Sequence, residues 1–360
     1  MADTAETVTG IGRGSMRQSN IELLRIIAAM GVIALHYNNP GIGGGFRFAE
    51  DGSVNRQIMI AMECLFIGAV DLFMIISGYF QCRNMKASSR KVIELLMQLV
   101  VFEVLLYGMK VLSGQGVFSW SGLVTTLVPT DYFIVLYCTT YLLSPYMNLL
   151  LTKLSQRQFR GLLLLLFLLF SVQAGLLGWA EHLLDIDLAS ASTYSYKGDQ
   201  EGYTIVTFIL CYLIGAGIRY GALEIRRPLY AGLLFAGAFA AVWYRRNWDY
   251  SNPFVVLQAA AVFMLFLRLP LKDSPIINKI AKASLTVYIL HETLLVRTGI
   301  KFFSSGPAGR MLLHILAVQV GIYAVCFVVY VIWSKITKPM FDFAFARWKV
   351  PDIRLETDQI

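Results

Sequence analysis

Two residues that could carry out acid–base chemistry lie in the first apolar segment of the chain. Arg25 and His36 stand eleven positions apart in NIELLRIIAAMGVIALHYNN. In a helix, at about 100° per residue, that spacing puts both side chains within roughly 20° of one face, about 16 Å apart along the axis. Imidazole changes charge near neutrality, so His36 suits a general base. The plainer alternatives are an interfacial histidine and an arginine that snorkels to the headgroups.

An aspartate interrupts the second apolar segment, CLFIGAVDLFMIISGYF. A charged side chain at mid-bilayer costs about 2.5 to 3.5 kcal/mol on insertion scales, so Asp71 should face other helices and pair with a cation or donor. Arg25 is the first candidate partner, in a bridge that is either structural or functional. The segment ends in Ser77 and Gly78, small residues that let helices or a ligand approach closely.

A second histidine lies deep in a late segment, KASLTVYILHETLLVRTG. Ser284, Tyr288 and His291 recur at steps of four and three, so they share one helix face. We predict a site role for His291, with Tyr288 and Glu292 lining the same site. Ordinary structural roles are expected for the other two histidines, His182 and His314. Two glutamates of the third segment, Glu94 and Glu103, could line a cavity.

Ten apolar windows predict the helices that position these residues. Most have the roughly 17 to 25 residues needed to cross a hydrocarbon core about 30 Å thick. We therefore predict an all-α fold, a polytopic membrane helix bundle of about ten transmembrane helices. The windows cover about residues 20–37, 58–80, 92–112, 131–150, 161–179, 204–219, 228–243, 253–269, 284–303 and 311–334.

Lysine and arginine are concentrated in alternate loops, which predicts orientation because such loops stay in the cytoplasm. Both termini are therefore expected in the cytoplasm. The longest loop, 180–203, is acidic and predicted outside, either as a contact for an extracytoplasmic substrate or as a solvated connector. The chain then divides into a cytoplasmic tail (1–19), a transmembrane domain (20–337) and a second cytoplasmic tail (338–360).

The composition excludes a soluble globular domain. The chain of 360 residues is 57% hydrophobic and 15% charged, whereas soluble domains average about 25% charged. Its net charge of +8 is explained by topology, so membrane lipids and no nucleic acid are expected as partners. Five cysteines without CxxC spacing predict neither a disulfide framework nor a metal site.

Three motifs together resemble those of a known family. Arg25 and His36 form an R-x10-H pair, DLFMIISGYF resembles the signature FFxxSG(Y/F), and SLTVYILHE resembles a late SxxxYLxH signature. In this order and over about residues 17–340, the chain resembles the acyltransferase 3 family of bacterial integral membrane O-acyltransferases.

The resemblance implies transfer of an acyl group, usually acetyl from cytoplasmic acetyl-CoA, to a hydroxyl of a cell-envelope glycan or lipid-linked sugar at the bacterial plasma membrane. His36 would be the catalytic imidazole, as general base or acyl carrier, and Arg25 would bind the anionic donor or hold the site. No metal is implied. An appended extracytoplasmic domain, present in several members, would here have to be supplied by a separate transferase partner.

The basic segment after the second window resembles the family's basic segment there. It could bind the phosphates of coenzyme A, since compact and forked cations both suit phosphate, with Ser77 at the adjoining helix end. Topology alone explains the same charges equally well. The cations of this segment are Arg83, Lys86, Arg90 and Lys91.

Two other function classes fit part of the pattern. Intramembrane Arg, Asp and His residues also mark the pathways of transporters or exporters, although the sequence shows no inverted repeats or broken helices. A scaffold for polysaccharide assembly would tolerate changes at Arg25, His36 and Asp71. Binding of acetyl-CoA from the cytoplasmic side distinguishes the enzyme from the transporter.

Overall fold

The computed structural model describes residues 18–129, 131–186, 204–246 and 248–355. Most of the predicted acidic loop 180–203 and most of the predicted tail 1–19 lie outside the described residues, as does the side chain of His182.

Helices dominate the described part of the chain, and each of the ten apolar windows holds one. The helices are α1 Ser19–Asn38, α2 Gly45–Phe48, α3 Val54–Phe66, α4 Ala69–Gln81, α5 Ser89–Leu112, α6 Trp120–Leu127, α7 Tyr132–Lys153, α8 Gln156–Phe167, α9 Gln173–Leu184, α10 Ile205–Arg219, α11 Pro228–Arg245, α12 Pro253–Leu267, α13 Pro275–Ile280, α14 Ser284–Leu295, α15 Ile300–Ser304 and α16 Ala308–Arg347. A π-helical turn, Leu168–Val172, joins α8 to α9, and a 3-10 turn, Ala281–Ala283, joins α13 to α14.

Six helical stretches of the described chain are long and apolar enough to cross a membrane. They are Ser19–Asn38, Val54–Gln81, Ser89–Leu112, Trp120–Lys153, Gln156–Glu181 and Ala308–Arg347. The helices α10 and α12 are apolar but shorter. The all-α membrane fold is thus confirmed, while ten spans and cytoplasmic termini stay predictions.

Two windows are interrupted. The second window divides into α3 and α4 at Gly68, where a Cβ would come 3.2 Å from the Cβ of Ala259. In the ninth window, 284–303, the helix ends at Leu295, and Gly299, four residues further on, has a φ of +71°. That backbone conformation favours glycine and stops the helix. At its N-terminal end, α14 is joined to α13 by the 3-10 turn Ala281–Ala283.

Helix α1 lies at the centre of the bundle and packs against α3, α4, α12, α14 and α16. Its core side chains include the fully buried Ile21 and Ile33. Polar side chains tie it to its neighbours: the Nδ2 of Asn20 donates to the carbonyl of Phe266 at 2.9 Å, and the Nε2 of Gln319 donates to that of Met30 at 2.9 Å. A residue on α1 is therefore held firmly against several other helices.

The closest helix crossing joins α4 to α10. A Cβ on Gly78 would overlap the carbonyl oxygen of Tyr212, and a Cβ on Gly215 would overlap that of Ile75. Small residues at such a crossing let two backbones touch. The predicted role of Gly78, close approach, is thus fulfilled by α10.

The C-terminal segment returns to the start of α5. The α16 helix runs to Arg347, past the predicted domain boundary at 337, and the strand β2 (Ile353–Arg354) then pairs antiparallel with β1 (Lys86–Ala87). The backbone N–H of Ser89 donates to Asp352 at 3.0 Å. The last described residues are therefore attached to the bundle by backbone and side-chain hydrogen bonds.

Candidate active site

Two histidines and a glutamate meet between α1 and α14. The Nδ1 of His36 lies 2.9 Å from the Nε2 of His291 and 3.0 Å from the Oε1 of Glu292. His291 is buried at 1% exposure, whereas the side chains of His36 and Glu292 are 25% and 52% exposed. The structure therefore brings His36 together with two predicted site residues that lie more than 250 positions away in the chain.

The hydrogen-bond network assigns a proton to each ring. The Nδ1 of His291 lies 3.0 Å from the carbonyl oxygen of Val287 and 2.7 Å from that of Tyr288. Carbonyl oxygens only accept, so this Nδ1 carries the proton and the Nε2 of neutral His291 accepts. The Nδ1 of His36 must then donate, sharing its proton between His291 and Glu292.

In the neutral form of His36, this assignment puts the free lone pair on Nε2. A lone pair on a partly exposed imidazole is what a general base needs. When that nitrogen takes up a proton, the carboxylate of Glu292 lies 3.0 Å from the new positive charge. The cluster is therefore built to accept a proton and to stabilise the imidazolium that results.

The same three residues could also hold a metal ion, because their ligand atoms lie within 4.8 Å of one another. Zinc–nitrogen bonds of about 2.0 to 2.1 Å in a tetrahedron would set ligand atoms about 3.3 Å apart. The observed separations of 2.9 and 3.0 Å match shared protons better. The absence of a metal stays a prediction.

A cavity of about 560 Å³ lies between α1, α4, α5, α7 and the start of α14, and three predicted site residues, Arg25, Ser77 and Tyr288, line it. Two further cations line it as well: Lys91, from the predicted basic segment, and Lys282, which no sequence motif singled out. The cavity therefore offers three cations to an anionic ligand.

The cations of this cavity differ in how they are held. The Nζ of Lys91 lies 3.1 Å from the hydroxyl of Tyr137 and 4.3 Å from the centroid of the Tyr141 ring. The Nε of Arg25 lies 4.0 Å from the Oε2 of Glu22, too far for a hydrogen bond, and is buried without a hydrogen-bond partner among the described residues. Arg25 thus has donor capacity left for a ligand.

The other predicted donor-binding cations do not line this cavity. Lys86 pairs with Asp352 at 2.7 Å, and Arg90 pairs with Asp342 at 2.7 Å. The guanidinium of Arg83 lies over the ring of Tyr220 at 5.6 Å. Arg90 does line an adjoining groove of about 360 Å³, which shares Lys91 with the larger cavity.

The predicted pairing of Asp71 with Arg25 is wrong. Asp71 is buried, contacts the thiol of Cys211, and one of its oxygens has no hydrogen-bond partner among the described residues. The spacing explains this: Asp71 precedes Gly78 by seven positions, which is nearly two turns, so it faces α10. Arg25 opens instead into the cavity beside α5.

A smaller cavity of about 280 Å³ lies on the other side of Tyr288. It is lined by Leu99, Glu103, Thr125, Thr126, Val128, Asp131 and Tyr132. Tyr288 makes polar contacts with Asp131 and Tyr132, and its ring centroid lies 6.1 Å from that of His291. Tyr288 therefore stands between the two cavities and beside the histidine pair.

Only some of the residues that line this second cavity were predicted from the sequence. Glu103 was expected to line a cavity, and Glu94 in fact lines the larger one. Asp131 was missed, although an acidic residue at the first position of the fourth window was visible. Its Oδ1 accepts from the N–H of Ile134 at 3.0 Å and so caps α7, the ordinary role of aspartate at that position.

The remaining described histidine has a structural role, as expected. The Nδ1 of His314 lies 2.9 Å from the hydroxyl of Tyr37, and its Nε2 lies 2.9 Å from the carbonyl oxygen of Thr298. Its ring also stacks on that of Phe303. His314 thus holds the end of α1 that carries His36.

Fold and site together define a helical membrane protein with a histidine pair, one member of which is buried, close to two cavities. The model of the acyltransferase 3 family, described as an acyltransferase domain, matches residues 18–333. The chain belongs to this family and is a membrane acyltransferase, as the three motifs predicted. No curated protein and no solved structure matches the chain.

Proposed function

We propose that this protein transfers an acetyl group from acetyl-CoA, bound in the larger cavity, to a hydroxyl of a cell-envelope glycan or lipid-linked sugar at the bacterial plasma membrane. The observation that carries the proposal is the His36–His291–Glu292 cluster, in which a carboxylate 3.0 Å from His36 can stabilise a protonated imidazole. The cluster lies beside Tyr288, which lines one cavity and contacts two residues of the other. One cavity is available for a donor and the other for an acceptor.

The donor is assigned to the larger cavity because of its cations. Coenzyme A carries phosphates at one end and the thioester at the other. Arg25 lies eleven residues before His36 on α1, or about 16 Å along a helix, so it is too far away to contact a reacting thioester at His36. Its role is therefore to bind an anionic part of the donor, together with Lys91 and Lys282.

The reaction proceeds by proton transfer and displacement at the thioester. The Nε2 of His36 takes the proton of the acceptor hydroxyl while its oxygen bonds to the thioester carbon. The tetrahedral oxyanion then collapses, the carbon–sulfur bond breaks, and the thiolate takes the proton back from His36. During this cycle Glu292 stabilises the imidazolium, and the products are an ester and free coenzyme A.

Transient attachment of the acetyl group to His36 is the alternative use of the same lone pair. The proton-carrier route accounts for Glu292 better, because a carboxylate 3.0 Å away stabilises a protonated imidazole. The two routes differ in one observable, an acetylated protein that survives rapid quenching.

The test uses the detergent-purified full chain with radiolabelled acetyl-CoA and membranes from the producing cell as acceptor. His36→Ala is expected to lower ester formation by about 100-fold or more with unchanged binding of acetyl-CoA. Lys91→Met is expected to weaken that binding, and Arg310→Ala, an exposed arginine outside both cavities, serves as the matched control for loss of a cation.

Two results would contradict the proposal. Full ester formation by folded His36→Ala would remove His36 from the chemistry. Wild-type protein that binds acetyl-CoA from neither face, or moves it without forming an ester, would favour the transporter.

A further inference from the structure

Helix α6 forms one wall of the smaller cavity and has two unlike faces. At about 100° per residue, Trp120, Val124 and Leu127 fall within about 60° of one another. Thr125 and Thr126 lie about 130° from the centre of that stripe, on either side of the opposite face. The helix is therefore amphipathic.

The apolar face of α6 is uncovered. Trp120 is 74% exposed, and Val124 and Leu127 are exposed too, as are Val117 and Phe118 just before the helix. The stretch Trp120–Lys153 is long enough to span a membrane only with α7 included. By itself, with eight residues, α6 is about 12 Å long, too short to cross a hydrocarbon core of about 30 Å. A short amphipathic helix with an exposed tryptophan is suited to the membrane–water interface, with its apolar face in lipid.

The polar face of α6 lines the cavity. Thr125 and Thr126 stand there together with Glu103, Asp131 and Tyr132. Their hydroxyl and carboxylate oxygens can accept hydrogen bonds from a sugar, and the described lining residues include no cation. The volume of about 280 Å³ lies at the small end of ordinary ligand sites. These features suit a single uncharged sugar unit and disfavour an anionic one.

The cavity lies close to the reacting histidine, with Tyr288 between them. Tyr288, which contacts Asp131 and Tyr132, lies one turn before His291 on α14. Glu292 interacts electrostatically with Asp131 and Glu103. A sugar in this cavity would thus be next to the His36 cluster, on the opposite side of Tyr288 from the donor cavity.

We propose that the cavity between α5, α6 and α7 binds the sugar unit of an uncharged saccharide carried on a lipid, and that the apolar face of α6 contacts the lipid carrier. This inference rests on the proposed function and narrows its acceptor. The acceptor reaches His36 from the plane of the membrane, past α6, and not as a free polymer from the aqueous side.

The test reconstitutes the full chain in nanodiscs made with the polar lipids of the producing cell and adds radiolabelled acetyl-CoA. Alkali-labile label is expected in the chloroform–methanol extract. Trp120→Ala should lower that label by about tenfold through loss of the interfacial contact. Trp348→Ala, a tryptophan of equal exposure (74%) at the end of α16, should leave it unchanged.

Two added glycosides with the same tail test the preference for an uncharged sugar. Dodecyl glucoside should compete with the native acceptor for label, and dodecyl glucuronide should not. Binding of acetyl-CoA, measured separately for each variant, shows whether the donor half of the site is intact.

The outcomes separate the two proposals. Label only in the water-soluble or polymer fraction, equal loss in the two tryptophan variants, or equal competition by the glucuronide would overturn this inference while leaving the transferase intact. No label in any fraction and no thiol release from folded wild-type protein would overturn the proposed function itself.

Discussion

Replacing Glu292 by glutamine removes one charge and keeps a hydrogen-bond acceptor for His36. At the observed 3.0 Å, the attraction between the carboxylate and a protonated His36 is about 1.4 kcal/mol in bulk water and about 5.5 kcal/mol at an effective dielectric constant of 20. Because the glutamate side chain is 52% exposed, solvent screening favours the lower value. Glu292→Gln should therefore lower kcat by about tenfold.

The loss should appear in kcat and not in the KM for acetyl-CoA. The charge on His36 exists only after proton transfer, so Glu292 stabilises the transition state and not the bound donor. The assay is the initial rate of thiol release at saturating acceptor, with Glu50→Gln as control, since Glu50 is exposed and belongs to neither the cluster nor either cavity lining. An unchanged kcat, or a loss confined to KM, would refute this role for Glu292.

Three further predictions concern packing, the C-terminal segment and metals. Gly78→Ala should cost about 1 to 3 kcal/mol of stability through its clash with the α10 backbone, measured as a lower midpoint of thermal unfolding in detergent. Gly161→Ala, where the added Cβ would meet no atom within 4 Å, should not lower the midpoint. Equal midpoints for the two variants would contradict the close crossing. The Lys86 ammonium holds the pKa of the Asp352 carboxyl below its ordinary value. The Lys86–Asp352 ion pair therefore stabilises the attached C-terminal segment fully at pH values above the ordinary pKa, and this stabilisation is lost as the pH falls through the lowered pKa. Asp352→Asn should therefore make the segment more sensitive to proteolysis at neutral pH, and unchanged cleavage would contradict this. Chelation with EDTA should leave ester formation intact. If the purified protein instead retained stoichiometric metal and lost activity when that metal was removed, the histidine cluster would be a metal centre.

Local patterns in the sequence were sufficient for the helices and for part of the site. Apolar windows located a helix in every case, since the backbone in lipid must satisfy its own hydrogen bonds. The spacing of Arg25 and His36 correctly placed a cation and an imidazole along one helix. The spacing of Tyr288 and His291 likewise identified the part of α14 that reaches the site.

Contacts between distant helices could not be read from spacing alone. The meeting of His36 with His291 and Glu292 depends on how α14 packs against α1. The engagement of Lys86 by Asp352 depends on a segment that follows α16 and lies far away in sequence. The face of Asp71 was readable, because it shares a helix face with Gly78, yet a cation of the first apolar segment, Arg25, was assigned as its partner.

The central claim is that His36 is the general base, and the most direct measurement is acetyl transfer by His36→Ala beside wild type. Both proteins are reconstituted from monodisperse preparations and shown to bind acetyl-CoA. The structure predicts that the variant binds the donor as wild type does and forms ester at least about 100-fold more slowly. Ester formation at the wild-type rate by a folded, donor-binding His36→Ala would contradict the account.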